Sequence, residues 1–263
     1  MLSKATDKYH GLKLVDEDVF RSLLFHDIAG QEFIASRINM AQPEELLQKD
    51  EREFLASFLL VPTPVRSLVV GLHNIGLINF LRSATPAQIL DVIEYDPELI
   101  KAADTYFGLR SNDQLTIRQD SRLDYLLGRP RNSYDVIYLD AGADGLSRHR
   151  GSGLPDYARE KSFIAEVRER LTEPGVLIVT LGGDRKKVES DIDSVLAVFP
   201  HVFVWERTES GMVVLAALKH RQLVNPLILR ERARKLDQKM GTGLSFSTFI
   251  DLLLGGEYRV LEI

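Results

Sequence analysis

The sequence predicts a doubly wound, mostly parallel α/β sheet of seven strands, with an N-terminal strand-helix extension and a C-terminal helical tail. Three observations predict it. Short apolar runs alternate with segments of helical spacing across residues 65–220. Runs 67–71 (SLVVG), 89–94 (ILDVIE) and 134–140 (YDVIYLD) end in Gly71, Glu94 and Asp140, and 115–118 (LTIR) leads into Asp120. Runs 202–205 and 212–217 flank a polar turn through Ser210-Gly211, which predicts a closing hairpin. Ligands of open parallel sheets bind beyond the carboxyl ends of the strands, near the point where the strand order reverses. Gly71, Glu94, Asp120 and Asp140 are therefore expected to line one crevice, which reads as a nucleotide-type cofactor site.

The elements follow in order. In the extension, 1–64, runs 19–25 and 33–38 predict two short strands paired as a hairpin. Residues 43–60 predict a helix. Pro43 opens it, Glu44 and Glu45 sit in its first turn, and Leu46, Leu47, Leu55, Phe58 and Leu59 recur at helical spacing. Pro62-Thr63-Pro64 stops it.

In the sheet domain, 65–220, a short helix over 77–82 follows Gly71. Asp96 caps a helix over 97–107, with Pro97 in its first turn. A turn or two of helix over 121–127 follows the third strand. Helix 161–171 carries apolar residues at 163, 164, 167 and 171. Thr172-Glu173-Pro174-Gly175 predicts a turn into strand 176–181, and helix 188–199 precedes the hairpin. The tail, 221–263, reads as a charged helix over 226–239, a Gly241-Thr242-Gly243 break, a helix over 246–254 and a strand-like end at 258–263. There is no internal repeat, low-complexity tract or heptad run.

Composition narrows the function classes. With 263 residues, 44% hydrophobic and 27% charged, the chain has the make-up of a globular protein. A formal net charge of −5 gives no electrostatic case for nucleic acid. The absence of cysteine removes thiol catalysis, disulfides and thiolate metal sites. The six histidines are scattered without metal-ligand spacing, so no metal is expected. No apolar run reaches membrane-spanning length, and the first residues do not resemble a signal peptide. The expectation is a soluble, cytoplasmic chain with no membrane partner.

Glu94 lies about twenty positions beyond the glycine turn, where an acid binds a ribose diol by accepting both hydroxyl protons. Its plainer role would be a strand end in solvent. Asp120 is placed to accept from an adenine amino group, or else to cap helix 121–127 in competition with Ser121. Asp140 ends the central strand after that of Gly71. A carboxylate there can orient an incoming amine and stabilise its developing charge. The small-residue loop 141–145 leaves room for a substrate, while the Arg148-His149-Arg150 cluster reads as a solvated loop.

Taken together, these motifs resemble the spermidine synthase-like branch of the class I S-adenosylmethionine-dependent methyltransferases, over residues 67–200. The resemblance rests on Leu68-Val69-Val70-Gly71-Leu72, Val92-Ile93-Glu94-Tyr95-Asp96-Pro97, Tyr106-Phe107-Gly108-Leu109, Asp120, Leu123-Asp124-Tyr125 and Tyr134-Asp135-Val136-Ile137. Asp140, Leu154-Pro155, the run 171–176 and Val198-Phe199-Pro200 continue it. Within the family it resembles the C-terminal domain of the methyltransferases that modify a lysine and the N-terminus of eukaryotic translation elongation factor 1A. The resemblance implies S-adenosylmethionine as cofactor. Gly71, Leu72, Gly76, Glu94, Tyr95, Asp120 and Ser121 would bind it, and Asp140 would face the methyl donor. It implies a protein amine as acceptor, elongation factor 1A being the candidate partner, and a homodimer. Aminopropyl-transferring relatives carry a second aspartate three positions beyond the one matched by Asp140, where this chain has Ala143. A catalytically inactive binding or dimerisation module is the other alternative. Relatives place several glycines where this chain has His73-Asn74-Ile75. If the turn keeps its positive φ, His73 and Asn74 tolerate it and Ile75 is strained.

Overall fold

The structure is a computed structural model. It describes residues 12–26, 32–140, 154, 156–182, 185–207, 212–220, 225–240, 245–254 and 258–262.

The extension opens with an antiparallel sheet of β1 (Leu12–Glu17), β2 (Phe20–His26) and β3 (Glu32–Asn39). The expected hairpin is β2–β3. β1, which the charged run LKLVDE concealed, adds a third strand by pairing Leu14 with Leu23. The helix expected over 43–60 is a correction. Asn39 holds residues 39–45 in successive turns, accepting from Ala41 N–H at 3.0 Å and donating to the Glu45 carboxylate at 2.8 Å. Helix α1 (Lys49–Glu53) therefore starts late. A 3-10 turn (Phe54–Ala56) and α2 (Ser57–Leu60) follow it. Leu46, Leu55, Phe58 and Leu59 are buried as their spacing implied.

The main sheet contains β4 (Arg66–Val70), β5 (Ile89–Glu94), β6 (Leu115–Gln119), β7 (Tyr134–Asp140), β8 (Leu171–Leu181), β9 (His201–Arg207), β10 (Met212–Leu218) and β11 (Tyr258–Glu262). Their order is β11-β9-β10-β8-β7-β4-β5-β6. The five strands from β6 to β8 are parallel, and β10, β9 and β11 join antiparallel. All seven expected strands are present, and the strand-like end of the tail becomes the eighth. From β4 the chain winds outward through β5 to β6, then returns to β7 on the other side, so the order reverses between β4 and β7.

The segment expected as a turn at 172–175 lies inside β8. Tyr134 pairs with Leu171 and Val136 with Val176, so four residues of β8 swing out opposite Asp135. Asp135 holds the excursion by accepting from Thr172 Oγ1 at 2.7 Å, while its other oxygen takes Val65 N–H at 2.7 Å and Arg66 N–H at 3.0 Å.

Helices cover both faces of the sheet. On one face lie α3 (Ile75–Ala84), α4 (Pro97–Phe107), the extension, and the tail helices α9 (Pro226–Met240) and α10 (Phe246–Leu254). On the other lie α5 (Arg122–Leu127), α6 (Asp156–Arg159), α7 (Lys161–Arg170) and α8 (Arg185–Leu196). Alternate strand residues feed the two layers: Val69 packs into the first, Leu68 and Val70 into the second. Ser57 Oγ bonds Tyr138 OH at 2.9 Å, and the Arg232 guanidinium donates to Leu59 O at 2.8 Å. Trp205 is 3% exposed and meets Phe249 edge-on at 5.9 Å.

Two buried acids shape the packing of these elements. Glu51 of α1 is completely buried against α3, where a Cβ on Gly76 would stand 2.6 and 2.9 Å from its two oxygens. At the strand starts, Asp91 is 1% exposed and accepts from Arg66 Nη2 at 2.7 Å and Tyr134 OH at 2.8 Å. Tyr134 OH in turn meets Tyr125 OH at 3.1 Å. Burial, the Tyr125 contact and the Asp91 carboxylate together push the Tyr134 phenol above its ordinary range.

Gly76→Ala is expected to destabilise the fold by about 1–3 kcal/mol, because Glu51 is packed in and must shift. Asp91→Ala should cost on the order of 2–4 kcal/mol by leaving Arg66 and Tyr134 without their acceptor. The loss falls short of that for a wholly buried pair, since 38% of the Arg66 side chain stays in water. Urea midpoints measure both, and a change under about 0.5 kcal/mol in either, the size of an ordinary surface substitution, contradicts the packing described.

Candidate functional site

The carboxyl ends of β7, β4, β5 and β6 stand side by side. Val70 registers with Leu139, one residue short of Asp140. Gly71 N–H donates to Ile93 O at 2.9 Å, and Asp120 N–H to Glu94 O at 3.2 Å. The backbones of Gly71, Glu94 and Asp120 are thus linked edge to edge on one rim, with Asp140 across β4 from Glu94.

Gly71 has φ +101°, a conformation that a side chain would strain. The rest of the loop corrects the sequence-based expectation. Among the described residues only Asp18 and Asn132 are non-glycines with positive φ, and Asn74 has φ −94°. His73, Asn74 and Ile75 therefore replace glycines without left-handed strain. Their bulk goes into the protein: Leu72 and Ile75 are in the apolar core at 0% exposure, and the His73 ring lies 5.0 Å from that of Phe25 on β2.

Glu94 is 2% exposed. Its Oε2 accepts from Leu72 N–H at 3.0 Å, and its Oε1 from Tyr95 N–H at 2.7 Å and Asp96 N–H at 2.9 Å. The carboxylate thus pins the turn after β4 to the start of α4. Asp96 caps α4 by accepting from Glu98 N–H at 2.8 Å, as the sequence implied. Burial pushes the Glu94 carboxyl up from its ordinary range, opposed by Asp96 N–H, the charge of Arg122, and the N–H groups of Leu72 and Tyr95. Each carboxylate oxygen has two acceptor positions, so Oε1 is filled and Oε2 retains one.

Tyr95 projects from the rim, 58% exposed. The capping question at α5 resolves to Ser121, whose Oγ accepts from Asp124 N–H at 3.1 Å. Asp120 is left half-buried, lining a cavity of about 260 Å³ with Arg118, Asp124, Tyr125, Gly128 and Arg129. The Ser121 hydroxyl is committed to the cap and to the Asp124 side chain. The side chain of Asp140, and the whole of 141–153, lie outside the described residues. Where the chain returns, Asp191 of α8 accepts from Leu154 N–H and from Arg159 Nε, both at 2.7 Å.

Sequence reasoning missed Asp191 and Glu51. Asp191 follows Val188 at helical spacing on the buried face of α8, an acid on an apolar stripe, which is a readable signal. Glu51 carries none, because an acid inside the charged run 49–53 (KDERE) reads as solvated. Among the described residues no cluster of His, Cys, Asp or Glu is built to hold a metal ion, and no helix is long and apolar enough to cross a membrane.

No family model matches the chain. It is 29% identical over 189 residues to the human eEF1A lysine and N-terminal methyltransferase, matching 69% of this chain and 27% of that protein. The chain thus spans about a quarter of the length of that relative. Among solved structures it is similar to human methyltransferase-like protein 13 in complex with SAH, at 28% identity and a TM-score of 0.62, covering 73% of this chain and 91% of the other. It also superimposes on a probable spermidine synthase from Corynebacterium glutamicum, with a TM-score of 0.71 over 97% of this chain and 95% of the other, at 16% identity. The strand order, the rim of strand ends and these likenesses give the chain the class I methyltransferase, spermidine synthase-like fold.

Proposed function

We propose that the chain is an S-adenosylmethionine-dependent methyltransferase whose acceptor is a protein amine, with residues 65–220 carrying the site. The observation that carries the reading is the lateral bonding of the strand ends, Gly71 to Ile93 and Asp120 to Glu94, on one rim beside the reversal of strand order. The residues present fit such a cofactor. Gly71 lets the backbone approach it closely, and the last acceptor position on Glu94 Oε2 suits one ribose hydroxyl. Tyr95 offers an exposed ring for the base, and Asp120, released from capping, offers an acceptor for an amino group. When bound, the sulfonium supplies an activated methyl group.

Asp140, at the end of β7, orients the acceptor amine and stabilises its developing charge. The likeness to a relative named for eEF1A supports a protein acceptor, with the lysine or N-terminal amine of that factor as the first to assay. The absence of the second aspartate at Ala143 weighs against aminopropyl transfer.

Calorimetry is expected to show S-adenosylmethionine and S-adenosylhomocysteine binding at micromolar concentrations. No heat at millimolar ligand would leave a non-catalytic module instead. Decarboxylated cofactor with putrescine should yield no polyamine. Glu94→Gln should weaken binding roughly tenfold or more, the worth of a charge-assisted bond. Asp140→Asn should leave binding intact and lower kcat by about 100-fold or more. Because ribose donates to the ionised carboxylate and burial raises the Glu94 pKa, affinity is lost as pH falls through a value above 4.5. The Glu94→Gln variant should show no such acid limb, and an identical limb in both chains would place the titrating group elsewhere.

A further inference from the structure

A glycine in the turn after β4 has no side chain that could enter the crevice; His73 has one, and it must be sent elsewhere. Its place is close to the rim. The residue before it, Leu72, donates its N–H at 3.0 Å to Glu94 Oε2, the oxygen that keeps an acceptor position. A histidine has three staggered wells about its first side-chain torsion, so the direction of the ring is decided by what receives it. Phe25 of β2 receives it. The two rings lie 5.0 Å apart with their planes at 38°, His73 4% and Phe25 1% exposed. Aromatic rings at this separation attract beyond the area they bury. Phe25 shares its core with Leu72 and Ile75. β2 is itself fixed: Arg21 Nη1 donates to Tyr106 O near the end of α4 at 2.6 Å, while Nε and Nη2 hold Asp16 of β1 at 2.7 and 2.8 Å. The extension thus braces the turn from the core side.

We propose that Phe25 is a positioning residue of the cofactor crevice: its ring draws His73 into the core and so keeps the space beside Gly71 and Glu94 open for the nucleoside. The inference rests on the cofactor reading. Phe25 touches no ligand in this scheme and acts through His73. The extension does for the turn what a run of glycines does by having no side chains. With the Phe25 ring removed, the imidazole loses its packing partner, and water hydrates it better than an apolar void does. The open crevice then competes with a plugged one, and apparent affinity falls with the fraction that stays open.

The test is titration calorimetry of S-adenosylmethionine and S-adenosylhomocysteine on the unaltered chain, Phe25→Ala, His73→Ala and the double variant, with urea midpoints beside them. Phe25→Ala is expected to weaken both ligands about tenfold, as when the plugged form outnumbers the open one by about ten to one. His73→Ala alone should bind like the unaltered chain. The double variant should regain most of the affinity lost in Phe25→Ala although its urea midpoint stays as low or lower, because removing the obstructing ring restores the opening and not the packing. A merely structural Phe25 requires affinity to follow stability down. A double variant that binds no better than Phe25→Ala therefore overturns the inference, as does Phe25→Ala binding like the unaltered chain. Should Phe25→Ala fail to fold by circular dichroism, Phe25→Leu takes its place in the same comparison. Should neither fold, the unaltered chain decides: diethyl pyrocarbonate is expected to spare His73 with and without S-adenosylhomocysteine, and protection of His73 by the ligand overturns the inference by placing the ring in the crevice. Binding of neither ligand to the unaltered chain overturns the cofactor reading, and the inference with it.

Discussion

The carboxylate of Glu94 organises the rim. Three backbone N–H groups from two different connections converge on it, one from the turn after β4 and two from the entry to α4. A parallel sheet needs its crossover loops to end in register, and backbone groups inside such loops have no ladder to join. Glu94 satisfies them and fixes the loops against each other. The cost is a buried acid whose ionisation is resisted by its surroundings, which is typical of groups placed for binding rather than for stability.

Much of the fold was legible in the sequence because it follows local rules. Each parallel strand is a short apolar run stopped by a glycine or an acid. Asp96-Pro97 set the start of α4, and Gly108, with φ +64°, closes it. The apolar stripe of α7 is buried, with Phe163, Ile164 and Val167 at 1–2% exposure. These features require nothing beyond neighbours along the chain.

What escaped the sequence depended on distant contacts. His73 and Ile75 read as a defective glycine turn, yet their side chains settle into a core that the extension helps to build, and Phe25 on β2 receives the His73 ring. Residues 43–48 had helical spacing, but the Asn39 side chain, bonded to Ala41 N–H and to the Glu45 carboxylate, holds the chain in turns just before them. Glu51 looked like a solvated charge until the fold laid α1 across α3. The rim of Gly71, Glu94 and Asp120 could be anticipated from strand ends alone. How its loop is lined could not, since that follows from segments far away in sequence.

The eighth strand has a further consequence. Without β11, the outer strand on that side of the sheet would be β9, seven residues long and buried through Trp205. A long apolar strand with a free edge invites pairing with another chain. The opposite edge, β6, is five residues long and carries exposed Arg118 and Gln119, which discourage such pairing. β11 serves the β9 side by covering it along five residues. The tail thus moves the border outward from β9 to a strand two residues shorter, and a short edge strand offers less for another chain to pair with.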